Sequence, residues 1–405
     1  MSVPKRGYLF VALAAGAVFA LGLGVRQAQP LFISAINSST GIGYATISLA
    51  FGIAQLVWGV AQPVAGAVAD RYGPRPVMLS GALLVSLATA LTPLAHSGLA
   101  LALLIGLFAA TGAGAIGPSL LMSSVNRWIP EAKRAMATGI VNAGGSFGQF
   151  TIVPLAQLAI GLAGWQPAMV LLGAAGLAAI PLVLWLTRGG ATAGTATAPM
   201  AGAASLGQAL REAAGDRSFL LLNAGFFTCG FHVAFIVTHL PGYVALCGLP
   251  ATVSAWSLAI VGLFNIGGSL WIGMRIQTRR MKTSLAGIYA ARAAIILVFF
   301  LFAPKTELSF LVFSAAIGFT YLSTVPPTVG LVAKLHGPKY LATLFGVVML
   351  SHQVGGFLGA WLGGKAFEAT GNYDWMWWAD IALCLFAAMV NLPIREARRL
   401  APAAA

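Results

Sequence analysis

Negative charge is what this chain has least of. Nine Asp and Glu stand against 23 Lys and Arg in 405 residues, and all charged residues together make up 8%, against about 25% in ordinary soluble domains. That scarcity, with 59% hydrophobic residues, excludes a soluble globular domain. Cysteine is also scarce: Cys229, Cys247 and Cys384 form no metal-ligand spacing and no disulfide framework, so they read as packing residues. No nucleotide-binding loop, metal cluster or nucleophile–base pair is visible, which argues against an enzyme and leaves no cofactor to expect. The glycine-rich stretches VNAGGSFG and GLFNIGG lie inside apolar runs, where glycine serves close helix packing and not phosphate binding.

What is there instead is a series of long apolar segments, at about 8–33, 44–67, 76–94, 99–125, 136–160, 166–187, 218–240, 253–274, 284–303, 308–332, 341–362 and 375–393. Each approaches the roughly 20 residues that a helix needs to cross the hydrocarbon of a bilayer. The runs are continuously apolar, unlike the alternating strands of a membrane barrel. The expectation is an all-α membrane protein with twelve transmembrane helices. The first run follows Lys5 and Arg6 as a signal peptide would, but it is too long for such a peptide and carries Arg26, so it reads as an uncleaved first span.

The net charge of +14 records topology. With both ends of the chain cytoplasmic, the inner loops and tails hold 19 of the 23 Lys and Arg, and the outer loops hold only Lys305 and Lys365. Such asymmetry is the positive-inside signature; no nucleic-acid partner is implied, and the expected location is the inner (plasma) membrane. Arg26 and Arg292 remain, and both fall within spans.

The one long polar stretch, residues 188–217, reads as a cytoplasmic linker with a short amphipathic helix around Ser205–Ala214. It separates residues 1–187 from 218–405, with six spans in each. The two parts are related by a shift of 207: Gly66 maps to Gly273, Gly139 to Gly346 and Gly148 to Gly355, and the charged loop 66–75 falls on 273–282. Repeated halves of six helices are a transporter architecture with a binding site between them near the bilayer midplane.

The stretch GAVADRYGPR, Gly66–Arg75, lies between the second and third spans and resembles the loop motif of the major facilitator superfamily, with Gly66, Asp70, Arg71, Gly73 and Arg75 at the motif positions. The second copy, GMRIQTRRMK, has Gln277 in place of the acid. The resemblance implies two pseudo-symmetric six-helix bundles, rocking as a monomer between two orientations. Spans one, four, seven and ten, and two, five, eight and eleven, would line the cavity. It also implies that the Asp70 loop latches the halves at the inner face, with Arg127 as a candidate partner; the alternative is a topology anchor of basic residues.

An ionisable group at mid-span costs at least about 2.5–3.5 kcal/mol on insertion scales and usually has a task. The spans contain Arg26, Gln27 and Gln29 in the first, Asn142 and Gln149 in the fifth, His232 and His239 in the seventh, Asn265 in the eighth, Arg292 in the ninth, and His352 with Gln353 in the eleventh. All nine acids fall in loops or near span ends, Asp380 deepest, so no carboxylate is expected to neutralise Arg26 at depth. Guanidinium does not shed its proton. Its counter-ion is then an anionic substrate gripped through the planar fork, unless Arg26 snorkels outward or binds carbonyls freed by Pro30. Gln29, three residues on, shares the face of Arg26; Gln27 lies about 100° round and suits either the site or a helix contact.

His232 and His239 share a face of the seventh span, and a midplane histidine is able to carry a coupling proton or to sit neutral between helices. His352, among Gly355, Gly356 and Gly359, has the same two readings. Arg292 either reaches the cavity or binds backbone carbonyls of span eight or ten. Pro118 in span four and Pro326–Pro327 in span ten break helices at nearly matched places, which points to hinges and a binding site.

GVRQAQPLF and NRWIPEAKRAMATG are similar to bacterial relatives of the monocarboxylate porters and the oxalate/formate exchangers. Those families carry an arginine on span eight, where this chain has Ser269 and Asn265. The resemblance, with Arg26, implies a secondary transporter of a small organic anion, a monocarboxylate in the first instance, coupled to protons or exchanging anions. The alternative is an exporter of a neutral drug-like compound or metabolite.

Overall fold

The computed structural model describes residues 7–125, 128–130, 133–188, 206–337 and 339–396, and every regular element among them is a helix. Eleven helical stretches are long and apolar enough to cross a membrane: Tyr8–Thr40, Tyr44–Tyr72, Pro74–Leu94, Gly98–Ser124, Met136–Ala163, Trp165–Leu186, Arg217–Leu246, Ala251–Arg275, Met281–Leu301, Glu307–His336 and Leu341–Thr370. They are spans one to eleven. Span twelve, Asp374–Asn391, has 18 residues; two aspartates and three tryptophans lower its hydropathy, and it packs on spans seven and nine. Side chains such as Phe10, Leu155, Leu162, Leu270 and Phe302 stay exposed, as a surface that meets lipid requires.

Three spans are interrupted where their prolines stand. In span one the α-helix ends at Ala28 and a 3-10 turn, Gln29–Phe32, carries Pro30. Span four breaks before Pro118. Span ten breaks at Tyr321–Thr324 and resumes with Pro326 and Pro327 in its first turn, where proline removes no needed donor. Gly73, at φ +85°, turns the chain sharply from span two into span three, a conformation that glycine adopts without strain.

The shift of 207 reappears as matched contacts. A Cβ on Gly148 would stand 2.0 Å from the carbonyl oxygen of Ala20, and one on Gly355 would stand 2.0 Å from that of Phe227. Adding 207 carries the first pair onto the second. Gly144 likewise meets the backbone of Gly16, while its counterpart Ser351 donates to the Asn223 carbonyl at 3.1 Å. Spans one and five therefore pack as spans seven and eleven do.

The two sets of six meet along spans two and eleven and spans five and eight. At the end away from the Gly66–Arg75 loop, spans two and eleven close against each other. Gly52 lies against Phe357 and Gly59 against Gln353, the rings of Tyr44 and Phe367 are 4.7 Å apart, and the Glu368 carboxylate accepts from the Ala45 amide at 3.1 Å. Gly66, one further double turn along the face of Gly52 and Gly59, has nothing within 4 Å of a Cβ, and the same is true of Gly139, Gly273 and Gly346. Gly139 lies seven residues from Ser146, and Gly346 seven from Gln353, so each continues a face that is in contact further up. The seam opens toward the basic face that carries the loop motif.

Residues 189–205 lie outside the described residues. A helix, Leu206–Gly215, stands where the amphipathic one is expected and buries Ala213 in the cluster of Phe219 and Leu222.

Candidate functional site: a polar seam between the halves

Arg26 sits two residues before the end of the α-helical part of span one and stays partly exposed at mid-depth. Its Nη2 donates to Gln55 Oε1 at 2.5 Å, and its guanidinium lies over the Trp58 ring at 4.9 Å. Gln55 and Trp58 are one turn apart on span two, so one helix face supplies both a neutral acceptor and an aromatic surface. Neither bears a charge. Among the described residues Arg26 makes no ion pair, and its Nε has no hydrogen-bond partner.

Beside Arg26 a polar seam joins the halves. Gln27 Nε2 donates to Gln149 Oε1 at 3.2 Å, and Gln149 Nε2 donates to the Leu258 carbonyl at 2.7 Å. Asn265 donates to Ser146 Oγ at 2.9 Å and accepts from the Leu322 amide at 3.0 Å. That amide is freed by the break in span ten, so Asn265 satisfies the break and ties spans five, eight and ten together. Tyr321, in the same break, interacts with Gln27 and Arg26 on one side and Arg292 on the other. Asn142, four residues before Ser146, continues this face and is exposed.

Other expected site residues lie elsewhere. Gln29 does not share the Arg26 face. It opens the 3-10 turn and donates to Thr89 Oγ1 of span three at 3.0 Å, buried inside the first half; three residues turn an α-helix by only about 300°, so the two side chains stand about 60° apart, enough to take Gln29 to span three. Arg292 is fully buried, with Nη2 donating to the carbonyls of Thr320 and Tyr321 at 2.5 and 2.9 Å. It holds the broken strand of backbone in span ten and does not reach the seam. His239 Nε2 lies 2.6 Å from the Ala360 carbonyl. His352 packs its ring 5.0 Å from that of Phe226. Gln353 lies buried against Gly59, with both amide atoms unpartnered.

Asp380, expected near a span end, is the correction. Asp380 is fully buried, with Oδ2 2.7 Å from His232 Nδ1. It is six residues into span twelve, about 9 Å along the axis at 1.5 Å per residue, which is deep enough to leave water. It serves His232 and lies within electrostatic reach of Arg292; it does not pair with Arg26. Donor atoms of His232, Asp380 and Cys384 lie within 4.8 Å of one another. The Arg292 charge already occupies the electrostatic place a metal cation would take there, so the cluster reads as an ion-pair network.

At the basic face, Asp70, Arg71 and Arg75 are exposed, and Asp70 has no ion pair among the described residues. Arg127, its candidate partner, lies outside the described residues. A Cβ on Gly66 would meet nothing within 4 Å, so among the described residues the loop makes no ion pair through Asp70 and no close approach at Gly66. Patterning did not single out Gln55, Trp58, Ser146 or Tyr321. Gln55 carried a signal, an amide at the middle of an apolar run, and Trp58 one turn later completed it.

Two matched sets of six helices, broken helices at equivalent depth and a polar seam between them define the architecture of a multi-pass membrane transporter. The family model described as Major Facilitator Superfamily matches residues 12–360, and the chain belongs to that superfamily. It is similar to monocarboxylate transporter 13 of Rattus norvegicus, 28% identical over 363 residues, covering 87% of this chain and 81% of the relative. The oxalate:formate antiporter of Oxalobacter formigenes is 25% identical over 357 residues, covering 87% of this chain and 82% of the relative. Among solved structures, a bacterial homologue of the human lysosomal transporter Spinster, inward-facing and occupied, superposes with a TM-score of 0.75 at 15% identity over 96% of this chain and 97% of that one; this likeness concerns the fold alone.

Proposed function

We propose that the protein is a secondary transporter of a small organic anion, a monocarboxylate in the first instance, working by alternating access in the cell's inner (plasma) membrane with both chain ends cytoplasmic. The reading rests on Arg26: a permanent cation at mid-depth, partly exposed, seated on a neutral amide and an aromatic ring, and without a carboxylate partner among the described residues. A carboxylate arriving in the seam supplies the ion-pair partner that Arg26 lacks among the described residues. The relatives named above, a monocarboxylate transporter and an oxalate:formate antiporter, support the same substrate class. With the basic face taken as cytoplasmic, the present form is inward-open, and the anion binds from or leaves to the cytoplasm. Binding neutralises Arg26 and lowers the cost of closing the seam around it.

The test is uptake of a panel of labelled organic acids into proteoliposomes, with and without an inward proton gradient. Arg26→Gln removes a charge-assisted hydrogen bond worth about 1.5–3 kcal/mol, so the half-saturating concentration of the transported acid should rise about 10- to 100-fold. Arg26→Lys, which keeps the charge and loses the fork, should fall between. Normal transport by Arg26→Gln would remove Arg26 from the site and move the search to neutral solutes. Stimulation by the gradient distinguishes symport; a requirement for an internal anion distinguishes exchange.

A further inference from the structure

The second half holds a charged cluster that the anion site does not use. His232 of span seven and Asp380 of span twelve, both fully buried, share a 2.7 Å contact. Arg292 of span nine is within electrostatic reach of both and binds the Thr320 and Tyr321 carbonyls in the break of span ten. His232 Nε2 and two nitrogens of Arg292 have no hydrogen-bond partner. The remaining titratable groups facing the cluster are Cys229 of span seven, Tyr289 of span nine, Tyr321 of span ten, His352 of span eleven and Cys384 of span twelve.

Replacing buried ion pairs by apolar side chains is often stabilising, so stability alone gives little reason for three ionisable groups here. Arg292 and a charged Asp380 cancel, and a neutral His232 leaves the cluster uncharged. One added proton, on either member of the pair, makes it positive. Water is excluded, so that charge is felt well beyond contact distance. Tyr321 is linked to both arginines: its carbonyl accepts from Arg292 Nη2 at 2.9 Å, and Arg26 lies within electrostatic reach of its side chain.

We propose that the His232–Asp380 pair is a proton-binding site linked electrostatically, across the break in span ten, to the anion site at Arg26. The inference rests on the reading of Arg26 as that site. An anion at Arg26 favours a proton on the pair, and by reciprocity the proton favours the anion. Arg292 acts as a positioning residue, transmitting the charge of the pair to the Tyr321 backbone.

The test needs no substrate. Protein in nanodiscs is acidified stepwise and followed by infrared difference spectroscopy in the protonated-carboxyl and imidazolium regions, which report a proton on Asp380 and on His232 respectively. A titrating band is expected in wild type, lost in Asp380→Asn, restored in Asp380→Glu and displaced in His232→Gln. Arg26→Gln, which alters a group outside the buried cluster, should move the midpoint to higher pH, because a neighbouring positive charge is gone. An Asp380→Asn spectrum that matches wild type overturns the proton site. A midpoint unmoved by Arg26→Gln overturns the linkage, and that arm decides even where Asp380 variants do not fold. Uptake by Arg26→Gln judges the anion reading separately.

Discussion

Individual residues here are constrained by how closely two backbones approach. A Cβ at Gly148 would come within 2.0 Å of the Ala20 carbonyl oxygen, and at Gly355 within 2.0 Å of the Phe227 oxygen; a backbone carbonyl in a packed span has no rotamer to move. Gly148→Val and Gly355→Val should each cost at least about 1–3 kcal/mol, the usual range for overpacking, seen as a melting temperature lowered by several degrees in detergent. Gly161→Val, on the same span as Gly148 with nothing within 4 Å, is the control and should melt as wild type does. Equal melting of Gly148→Val and Gly161→Val would contradict the packing described. These glycines were legible as a repeat because the same contact constrains both copies. Asp380 was not: a window over span twelve averages it with Asp374 and three tryptophans and reads the region as a span end. Gln29 was misplaced because a three-residue step leaves an offset of about 60° on an α-helix, and span three, not span two, stands where that offset points. Arg26 could be placed at depth from sequence, whereas its seat on Gln55 and Trp58 depends on how span one crosses span two, which no local pattern encodes.

At the scale of elements, the structure is governed by what satisfies helix ends. Span nine begins at Met281, and its first amides donate to Glu396 beyond span twelve, Met281 N at 3.0 Å and Lys282 N at 3.2 Å, while Lys334 at the end of span ten donates to the same carboxylate at 2.8 Å. One carboxylate thus joins three spans at the basic face. Burial pushes the Glu396 carboxyl up, but Lys334 and the two amides outweigh it and hold its pKa below the ordinary 4.5. A depressed folded pKa gives stability that is complete above the unfolded value and is lost as pH falls through the folded one. Wild type should therefore melt above Glu396→Gln at neutral pH, with the difference shrinking below about pH 4.5. The group is partly solvated, so the effect is small. Melting curves for the two proteins that stay parallel from neutral to acid pH would mean that the contact contributes nothing. Gln277 in the second loop copy gave no hint of this, since the acid that organises that end comes from the far end of the chain.

For the whole molecule, the two ends of one seam differ: Gly52 and Gly59 meet span eleven, and Gly66 does not. The fold itself was legible: twelve apolar runs, a shift of 207 and the Gly66–Arg75 loop lead to two matched bundles, because lipid forces each run to satisfy its own backbone. The state of the seam was not, since both states use the same helices. Gly66 continues the face on which Gly52 and Gly59 touch span eleven, yet meets nothing. A larger side chain there is free in the present form and collides with span eleven when the basic face closes. Gly66→Leu should fold and melt as wild type does while losing transport. Its conformational signature is measurable with spin labels at positions 72 and 342, near the open ends of spans two and eleven, after Cys229, Cys247 and Cys384 are replaced. Wild type should sample a long and a short distance by pulsed electron resonance, and Gly66→Leu only the long one. Were Gly66→Leu to keep the short population, position 66 would not lie in the closing seam, and the rocking of the halves would have to pivot about contacts other than spans two and eleven.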